Sequence, residues 1–182
     1  MARILVPLAQ GCEELEAVTI IDLLRRAGQE VISAGLAPGE VTASRGVVLH
    51  PDVLLDDVLD QPFDMVALPG GLPGADHLDQ DPRIAALLQR VAAEQGYTAA
   101  ICAAPKVLAS AGLLKGRQAT AYPGVLEKMP HAEVTLASAS VVRDGRMITS
   151  RGPGTAMDFA LELIEVLAGR EKRDEVEAGL VR

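Results

Sequence analysis

A cysteine at the end of a strand-like run is the residue best placed to act as a nucleophile. Residues 98–101 predict a short buried strand, and residues 102–105 (Cys-Ala-Ala-Pro) lead directly into a predicted helix. A strand that turns abruptly into a helix presents its corner residue outward, as in a nucleophile elbow. The helix N-terminus favours negative charge, so we expect it to help hold Cys102 as a thiolate. A buried structural thiol is the alternative interpretation.

Glu16 is the predicted proton carrier for the same chemistry. It lies in residues 13–27, which show helical periodicity. The helix residues within about 40° of it are apolar: Ile20, Leu23 and Ala27. A carboxyl in an apolar arc is costly to ionise, so we expect a raised pKa and a proton for a thiolate or a substrate. A solvated glutamate at the helix start is the alternative, and it accounts well for Glu13 and Glu14.

A second loop contains Pro69, Gly70 and Gly71 after a predicted strand. The loop lacks the Gly-Lys-Ser/Thr sequence of a phosphate loop, so nucleotide binding is disfavoured. Its two glycines can instead bring a backbone N–H close to a reacting oxygen, together with the N–H of Ala103. A plain chain reversal is the alternative.

The remaining pattern predicts the scaffold that must position these loops. Predicted strands lie at residues 4–8, 30–36, 65–68 and 98–101, with further candidates at 118–121, 134–137, 141–142 and 147–149. Predicted helices lie at residues 13–27, 82–95, 105–111 and 154–167, with a short amphipathic helix in 170–182. Residues 41–50 predict a hairpin. This alternation predicts an α/β three-layer sandwich in one domain (1–182), with a mostly parallel sheet, helices on both faces and one antiparallel hairpin.

Composition excludes several classes of function. The 182 residues contain 17 Lys and Arg against 25 Asp and Glu, and only two Phe, two Tyr and no Trp, which makes nucleic-acid binding unlikely. No uncharged run approaches the roughly 20 residues of a membrane span. Two cysteines provide neither a disulfide framework nor a zinc site. We therefore expect a cytoplasmic protein with reduced thiols, no membrane association and no metal.

Four motifs together resemble the ThiJ/PfpI superfamily, and most closely its DJ-one/YajL-like branch. They are residues 11–16 (Gly-Cys-Glu-Glu-Leu-Glu), 68–71 (Leu-Pro-Gly-Gly), 99–105 (Ala-Ala-Ile-Cys-Ala-Ala-Pro) and 149–155 (Thr-Ser-Arg-Gly-Pro-Gly-Thr). They occur in the family's order and span nearly the whole chain. The resemblance implies a flavodoxin-like sandwich that forms a homodimer through its first helix and neighbouring elements.

The resemblance also implies roles for individual residues. Cys102 becomes the nucleophile, Glu16 its hydrogen-bonding partner, and Gly71 and Ala103 the oxyanion donors beside Gly70. Further positions match ones that the family places near the dimer interface and the mouth of the site: Arg26, Arg45 and Ser150. Relatives on this branch are described as glyoxalases or protein deglycases acting on glyoxal and methylglyoxal, and as oxidative-stress sensors and chaperones.

Tyr122 marks a departure from many relatives, which have a histidine before the proline at this place. Without that imidazole, an amidase or peptidase mechanism loses support, although it remains an alternative. A tyrosine with an ordinary pKa near 10 is a poor base at neutral pH but can donate a hydrogen bond. The chain's three histidines are predicted to lie on the surface: His50, His77 and His131.

We therefore predict a cysteine-dependent glyoxalase or protein deglycase that needs no cofactor. Its substrate would be a small dicarbonyl such as methylglyoxal, or an early thiol or amine adduct of it. The first alternative is a redox-sensing chaperone in which Cys102 is oxidised to a sulfinate.

Overall fold

The computed structural model describes residues 1–129 and 133–182. Eleven strands are present in this part of the chain: β1 (Arg3–Leu8), β2 (Glu30–Gly35), β3 (Val41–Thr42), β4 (Val48–Leu49), β5 (Val53–Leu54), β6 (Met65–Leu68), β7 (Tyr97–Ile101), β8 (Gln118–Ala119), β9 (Thr135–Leu136), β10 (Val141–Asp144) and β11 (Met147–Ser150). Six α-helices accompany them: α1 (Glu14–Arg26), α2 (Gly74–Gln80), α3 (Pro82–Ala93), α4 (Pro105–Ser110), α5 (Ala156–Ala168) and α6 (Arg170–Gly179).

Seven strands form one central sheet in the order β10-β11-β7-β6-β1-β2-β5. Neighbouring strands are parallel except β10 and β11, which are antiparallel. Strands β1, β6 and β7 are neighbours and run parallel, so their carboxyl ends lie at the same edge of the sheet. Open α/β sheets bind their ligands at that edge.

Strand residues alternate between two apolar cores, one on each face of the sheet. Along β1, Ile4 and Val6 join the core that contains α1 and α5, whereas Leu5 joins the core that contains α3 and α4. This alternation follows from the two-residue period of a strand. The predicted mostly parallel sheet with helices on both faces is therefore confirmed, and so is the predicted hairpin, in which β3 pairs antiparallel with β4.

Two elements differ from the sequence-based prediction. Helix α2 occupies seven residues where a loop was expected up to Pro82, and it follows Gly71 and Pro73, residues that favour turns. Strand β5 is only two residues long and pairs with the end of β2, which periodicity alone does not reveal. Helix α3 begins at Pro82 as predicted, and the Asp81 side chain accepts the Arg83 N–H at 3.0 Å as its cap.

Among the described residues, no helix combines the length and the apolar character needed to cross a membrane.

Candidate functional site

Loops from three neighbouring strands meet around Cys102. Gly70, after β6, donates its N–H to Oε2 of Glu16 at 2.8 Å and accepts the N–H of Glu13 at 2.9 Å. Cys102, after β7, donates its own N–H to the Ser150 carbonyl at the end of β11, also at 2.9 Å. The site therefore gathers segments that lie far apart in the sequence, at the sheet edge where ligands bind.

The backbone of Cys102 has the conformation expected of a nucleophile elbow. Its φ is +64°, a region that residues with a Cβ adopt rarely and at a cost in energy. Strand β7 ends one residue earlier and α4 begins three residues later. The carbonyl of Cys102 accepts the Tyr122 N–H at 2.9 Å, so both sides of the corner are held by hydrogen bonds. The side chain is nearly buried, at 8% exposure.

Glu16 is a fully buried carboxyl beside this corner. It lies in the first turn of α1, where its N–H is capped by the Glu13 side chain at 2.8 Å. Burial raises the pKa of Glu16 to about 7, against the opposing effects of the Gly70 N–H and of the neighbouring Cys102 thiol. The expected rise in pKa is therefore present, and its main cause is the loss of solvent.

Two backbone donors face the sulfur of Cys102. The N–H groups of Gly71 and Ala103 both lower its pKa, but burial and the ionised Glu16 carboxylate together raise it to about 12. The prediction that Cys102 is held as a thiolate is therefore wrong when Glu16 is ionised, because the raised pKa then keeps the proton on the thiol. Helix α4 is also only six residues long, so the donors that favour a thiolate are these two N–H groups.

Glu16 and Cys102 titrate as one pair, because each alters the pKa of the other. Burial raises the pKa of both groups, and the negative charge of either one opposes ionisation of the other, so the first proton leaves the pair at a much lower pH than the second. Between these two steps the pair holds one proton. When that proton is on Glu16, the carboxyl becomes a third hydrogen-bond donor to a thiolate, beside Gly71 and Ala103. The arrangement can therefore supply a nucleophile and an acid from one shared proton.

The glycines of the second loop are required by close backbone contacts. A Cβ on Gly70 would lie 2.7 Å from the Cβ of Cys102, and a Cβ on Gly71, where φ is +87°, would lie 2.4 Å from the nitrogen of Glu13. A Cβ on Gly74 would likewise lie 2.5 Å from the nitrogen of Cys12. Only glycine allows these loops to approach closely enough to direct the Gly71 N–H at the sulfur.

The secondary residues predicted from the sequence separate into two groups. Ser150 is buried and bridges the Ser140 carbonyl and the Thr155 hydroxyl, both at 2.7 Å, while its carbonyl holds Cys102. Tyr122 is 53% exposed, and its ring lies over Gly152 at the surface next to the corner. Both are therefore neighbours of the site.

Arg26 and Arg45 are exposed residues at the surface of this chain. Arg26 is exposed at the far end of α1, about 15 Å along the helix from Glu16, and pairs with Asp22 at 2.7 Å. Arg45 is exposed at the turn of the hairpin. Their predicted place near a dimer interface stays a prediction.

Glu14 is a structural residue that the sequence analysis missed. It is 9% exposed, and its carboxylate accepts the Arg45 N–H at 2.9 Å and the Ser44 hydroxyl at 3.0 Å. Hydrogen bonds from the hairpin lower the pKa of Glu14, although desolvation opposes them. The expectation of a solvated glutamate is therefore wrong here, and Glu14 joins α1 to the hairpin. The sequence gives no sign of this role, because Glu14 directly follows Glu13, the capping residue of α1, and acids are common at the start of any helix.

The other cysteine and the histidines lie outside this cluster. Cys12 is fully buried, and burial together with nearby glutamates raises its pKa to about 12. His50 lies near Glu40 at 3.5 Å, His77 lines a separate cavity on α2, and His131 lies outside the described residues. Among residues 1–129 and 133–182, no three His, Cys, Asp or Glu side chains come together as a metal site would require.

The chain is similar to known proteins in both its sequence and its structure. The profile of the DJ-1/PfpI family matches residues 2–166. Protein dj-1beta of Drosophila melanogaster is 46% identical over 178 residues, covering 97% of this chain and 95% of the relative. Glutathione-independent glyoxalase DJR-1.2 of Caenorhabditis elegans is 38% identical over 175 residues, covering 96% and 92%. The structure of oxidized DJ-1 from Toxoplasma gondii superposes with a TM-score of 0.94 at 40% identity, covering 100% of this chain and 98% of that one.

Proposed function

The chain belongs to the DJ-1/PfpI family, and we propose that it is a cysteine-dependent glyoxalase or protein deglycase. Its substrates would be methylglyoxal or glyoxal, or their early thiol or amine adducts. The family assignment confirms the resemblance found in the four motifs, including the DJ-one branch. One relative carries the name glutathione-independent glyoxalase, which supports the proposal.

The proposal depends mainly on one observation. The sulfur of Cys102 faces two backbone N–H groups, from Gly71 and Ala103, and a carboxyl whose pKa lies near 7. These are the parts required to add a thiolate to an aldehyde: a nucleophile, donors for the oxygen that becomes negative, and an acid or base that works at neutral pH.

The reaction begins with addition to the aldehyde. The Cys102 thiolate forms a C–S bond to the aldehyde carbon of methylglyoxal, and the carbonyl electron pair moves onto oxygen, beside the N–H groups of Gly71 and Ala103. Glu16 gives that oxygen its proton and becomes the carboxylate. The product is a hemithioacetal attached to Cys102.

Glu16 then moves a proton between neighbouring carbons. Its carboxylate takes the C–H proton of the hemithioacetal carbon and passes it to the former ketone oxygen, which gives an enediol. The hydroxyl proton of the hemithioacetal carbon then leaves its oxygen, which becomes the thioester carbonyl, and Glu16 delivers that proton to the adjacent carbon. The hemithioacetal becomes a lactate thioester with no net gain or loss of electrons, because one carbon is oxidised as its neighbour is reduced. Water cleaves the C–S bond, releasing lactate and the thiol.

The test is lactate formation from methylglyoxal in buffer free of added thiol. We expect activity in the wild type, a loss of at least 100-fold in Cys102→Ser, and a similar loss in Glu16→Gln. The matched control is Cys12→Ser, which removes the other thiol and should keep most of the activity. Equal rates in the wild type and Cys102→Ser would disprove the proposal.

A redox-sensing chaperone is a second candidate, favoured by the same geometry around the sulfur. Donors at Gly71 and Ala103 and a protonated Glu16 would also bind the oxygens of a sulfinate. One structural relative is an oxidized form, which is compatible with this reading. Intact mass after mild peroxide should then show two added oxygens on Cys102, and Glu16→Gln should stop or reverse this selectivity. Client binding that is independent of the oxidation state would argue against the switch.

A homodimer is part of the proposal. Leu15 and Val18 on α1 and Val47 and Val48 on the hairpin are each about half exposed, and Glu14 ties the hairpin to α1. Neighbouring exposed apolar residues are typical of an interface. Sedimentation should give a dimer for the wild type and a monomer for Val18→Asp. A monomeric wild type at micromolar concentration would contradict the proposed homodimer.

The cytoplasmic location stays a prediction.

A further inference from the structure

A cavity of about 640 Å³ lies at the amino ends of the central strands. Its walls come from residues that precede or begin β1, β6, β7 and β11, which are neighbours in the sheet, and from the end of α5. These four strands run parallel, and Cys102 follows the carboxyl end of β7. The cavity therefore lies at the opposite edge of the sheet from the nucleophile.

Two of the chain's four Phe and Tyr rings lie in this cavity, and each carries an arginine. The guanidinium carbon of Arg146 lies 5.0 Å from the centre of the Tyr97 ring. That of Arg3 lies 5.3 Å from the centre of the Phe63 ring. Both distances are those of a cation–π contact. Because the ring already orients the guanidinium, less side-chain freedom is lost when its N–H groups bind a ligand.

Arg146 gives the cavity a positive charge that the chain itself does not neutralise. Among residues 1–129 and 133–182 it makes no ion pair with Asp or Glu, whereas Arg3 pairs with Glu30 at 3.0 Å. Residues 130–132 are Pro, His and Ala, so none of them carries a carboxylate. The planar fork of a guanidinium matches the two oxygens of a carboxylate ligand.

Asp64 provides the opposite charge on the other side of the same ring. The Tyr97 N–H donates to the Asp64 carbonyl at 2.8 Å, and the residue after Tyr97 donates its N–H to the Arg146 carbonyl at 3.0 Å. The three residues therefore form a row across β6, β7 and β11, and the strand spacing separates the backbones of Asp64 and Arg146 by about 10 Å. Oδ2 of Asp64 accepts the Arg3 N–H at 2.7 Å, and Oδ1 has no donor in the described part of the chain.

The charges of this cavity favour a ligand that carries both signs. Glu94 also lines the cavity, so a plain anion would meet two carboxylates, from Asp64 and Glu94. A plain cation would meet the guanidinium of Arg146. An α-amino acid has its carboxylate and its ammonium on one carbon, so it can face an arginine and an aspartate that lie on either side of one ring.

We propose that this cavity binds a free α-amino acid with an aliphatic side chain. The α-carboxylate pairs with Arg146, and the ammonium lies against Asp64 and Glu94. The side chain packs on the apolar part of the wall, which includes Val166 and Leu167, both of them half-buried. Covering that apolar surface adds to the affinity. The inference goes beyond the proposed function, since it uses none of the groups around Cys102.

The experiment measures binding of L-leucine by equilibrium dialysis, beside two relatives that each keep one charge. L-Leucinamide keeps the ammonium alone, and N-acetyl-L-leucine keeps the carboxylate alone. We expect the wild type to bind L-leucine more tightly than either relative, by about tenfold or more. Glycine should bind more weakly than L-leucine, because it has both charges but no side chain to cover the apolar wall.

Variants assign each charge to its residue. Arg146→Gln should weaken L-leucine binding by about tenfold or more and abolish the preference over L-leucinamide, and Arg146→Lys should retain part of that preference. Asp64→Asn keeps an oxygen for the Arg3 N–H and should reduce the preference over N-acetyl-L-leucine. The matched control is Arg143→Gln, which removes a charge from the same hairpin at a residue paired with Glu162, and it should bind L-leucine as the wild type does.

Three outcomes would overturn the inference. They are no binding of L-leucine by the wild type up to about 10 mM, equal affinity for L-leucine and its two relatives, and wild-type affinity in Arg146→Gln. Cys102→Ser should bind L-leucine as the wild type does, and a loss of binding in this variant would assign the ligand to the other edge of the sheet and also overturn the inference. None of these measurements bears on lactate formation, so the proposed function is tested separately.

Discussion

The N–H of Gly70 and the buried carboxyl of Glu16 are joined by a 2.8 Å hydrogen bond although they are 54 residues apart. The bond occupies Oε2 and leaves the rest of the carboxyl group to interact with Cys102. It therefore fixes the orientation of the proton carrier toward the nucleophile. A glutamine at this position could keep an oxygen for Gly70, which makes Glu16→Gln a conservative probe of the charge.

The first prediction concerns stability and pH in Glu16→Gln. The folded protein holds the Glu16 proton up to about pH 7, against an ordinary value of 4.5. Folding therefore favours the protonated state, and the free energy of unfolding of the wild type should fall as pH rises from 4.5 to 7, by about 3 kcal/mol. Glu16→Gln should lose this dependence, as measured by denaturant unfolding across the window.

Glu171→Gln is the matched control, because Glu171 is exposed on α6. It should retain the wild-type pH dependence. Identical pH profiles for the wild type and Glu16→Gln would contradict a raised pKa at Glu16.

The second prediction concerns the thiol of Cys102 itself. The Glu16 carboxylate is one of the causes that raise its pKa to about 12, so Glu16→Gln should lower that pKa. The measurement is thiolate absorbance against pH, made in a Cys12→Ser background so that Cys102 is the thiol observed. If the thiol pKa is instead higher in the Cys12→Ser/Glu16→Gln protein than in Cys12→Ser alone, the prediction is wrong. Such a result would mean that protonated Glu16 mainly donates a hydrogen bond to the thiolate.

The third prediction tests the close approach of the second loop. Gly70→Ala should destabilise the protein by about 1–3 kcal/mol and reduce activity, because the added Cβ meets the Cβ of Cys102 at 2.7 Å. Gly154→Ala is the matched control, since a Cβ there has no atom within 4 Å. Thermal unfolding and lactate formation distinguish the two variants, and equal behaviour would refute the steric argument.

The fourth prediction concerns the anchor between α1 and the hairpin. Glu14→Gln should speed hydrogen exchange at the N–H of Arg45 by about tenfold or more, because a bond to a charged acceptor is worth about 1.5–3 kcal/mol. Ser44→Ala removes one hydroxyl donor and leaves the Arg45 bond in place, so it should have a smaller effect. Unchanged exchange in Glu14→Gln would mean that other contacts hold the hairpin.

The fifth prediction concerns the relative reactivity of the two cysteines. Cys102 is 8% exposed and Cys12 is fully buried, so iodoacetamide should modify Cys102 first in the folded protein. Peptide mass mapping gives the order of modification, and unfolding in denaturant should make the two rates similar. Preferential labelling of Cys12 in the native protein would contradict this geometry.

The sequence predicted the parts of the molecule that local pattern determines. Apolar runs located β1, β6 and β7, and the corner after β7 identified Cys102. Helical periodicity placed Glu16 on the buried side of α1, and its raised pKa followed from that position. These features depend on residues close together in the chain or on one surface of one helix.

Features that depend on distant contacts were not predictable in the same way. The anchoring role of Glu14 requires the hairpin to fold back onto α1, about 30 residues later. The pKa of Cys102 depends on Glu16 and on two N–H groups from separate loops, so helix α4 alone gave the wrong expectation. Strand β5 exists only because the end of β2 offers it a partner.

The contacts of Gly70, Gly71 and Gly74 have a consequence for redesign of the protein. The floor beneath the nucleophile is built from main-chain atoms packed too tightly to accept any side chain, so its shape has no tolerance for mutation. The rim of the site, by which we mean the exposed residues Tyr122 and Arg151 beside the corner, can instead be changed to adjust the substrate range. Libraries that randomise the rim and leave the floor intact should yield new selectivities with little loss of folded protein.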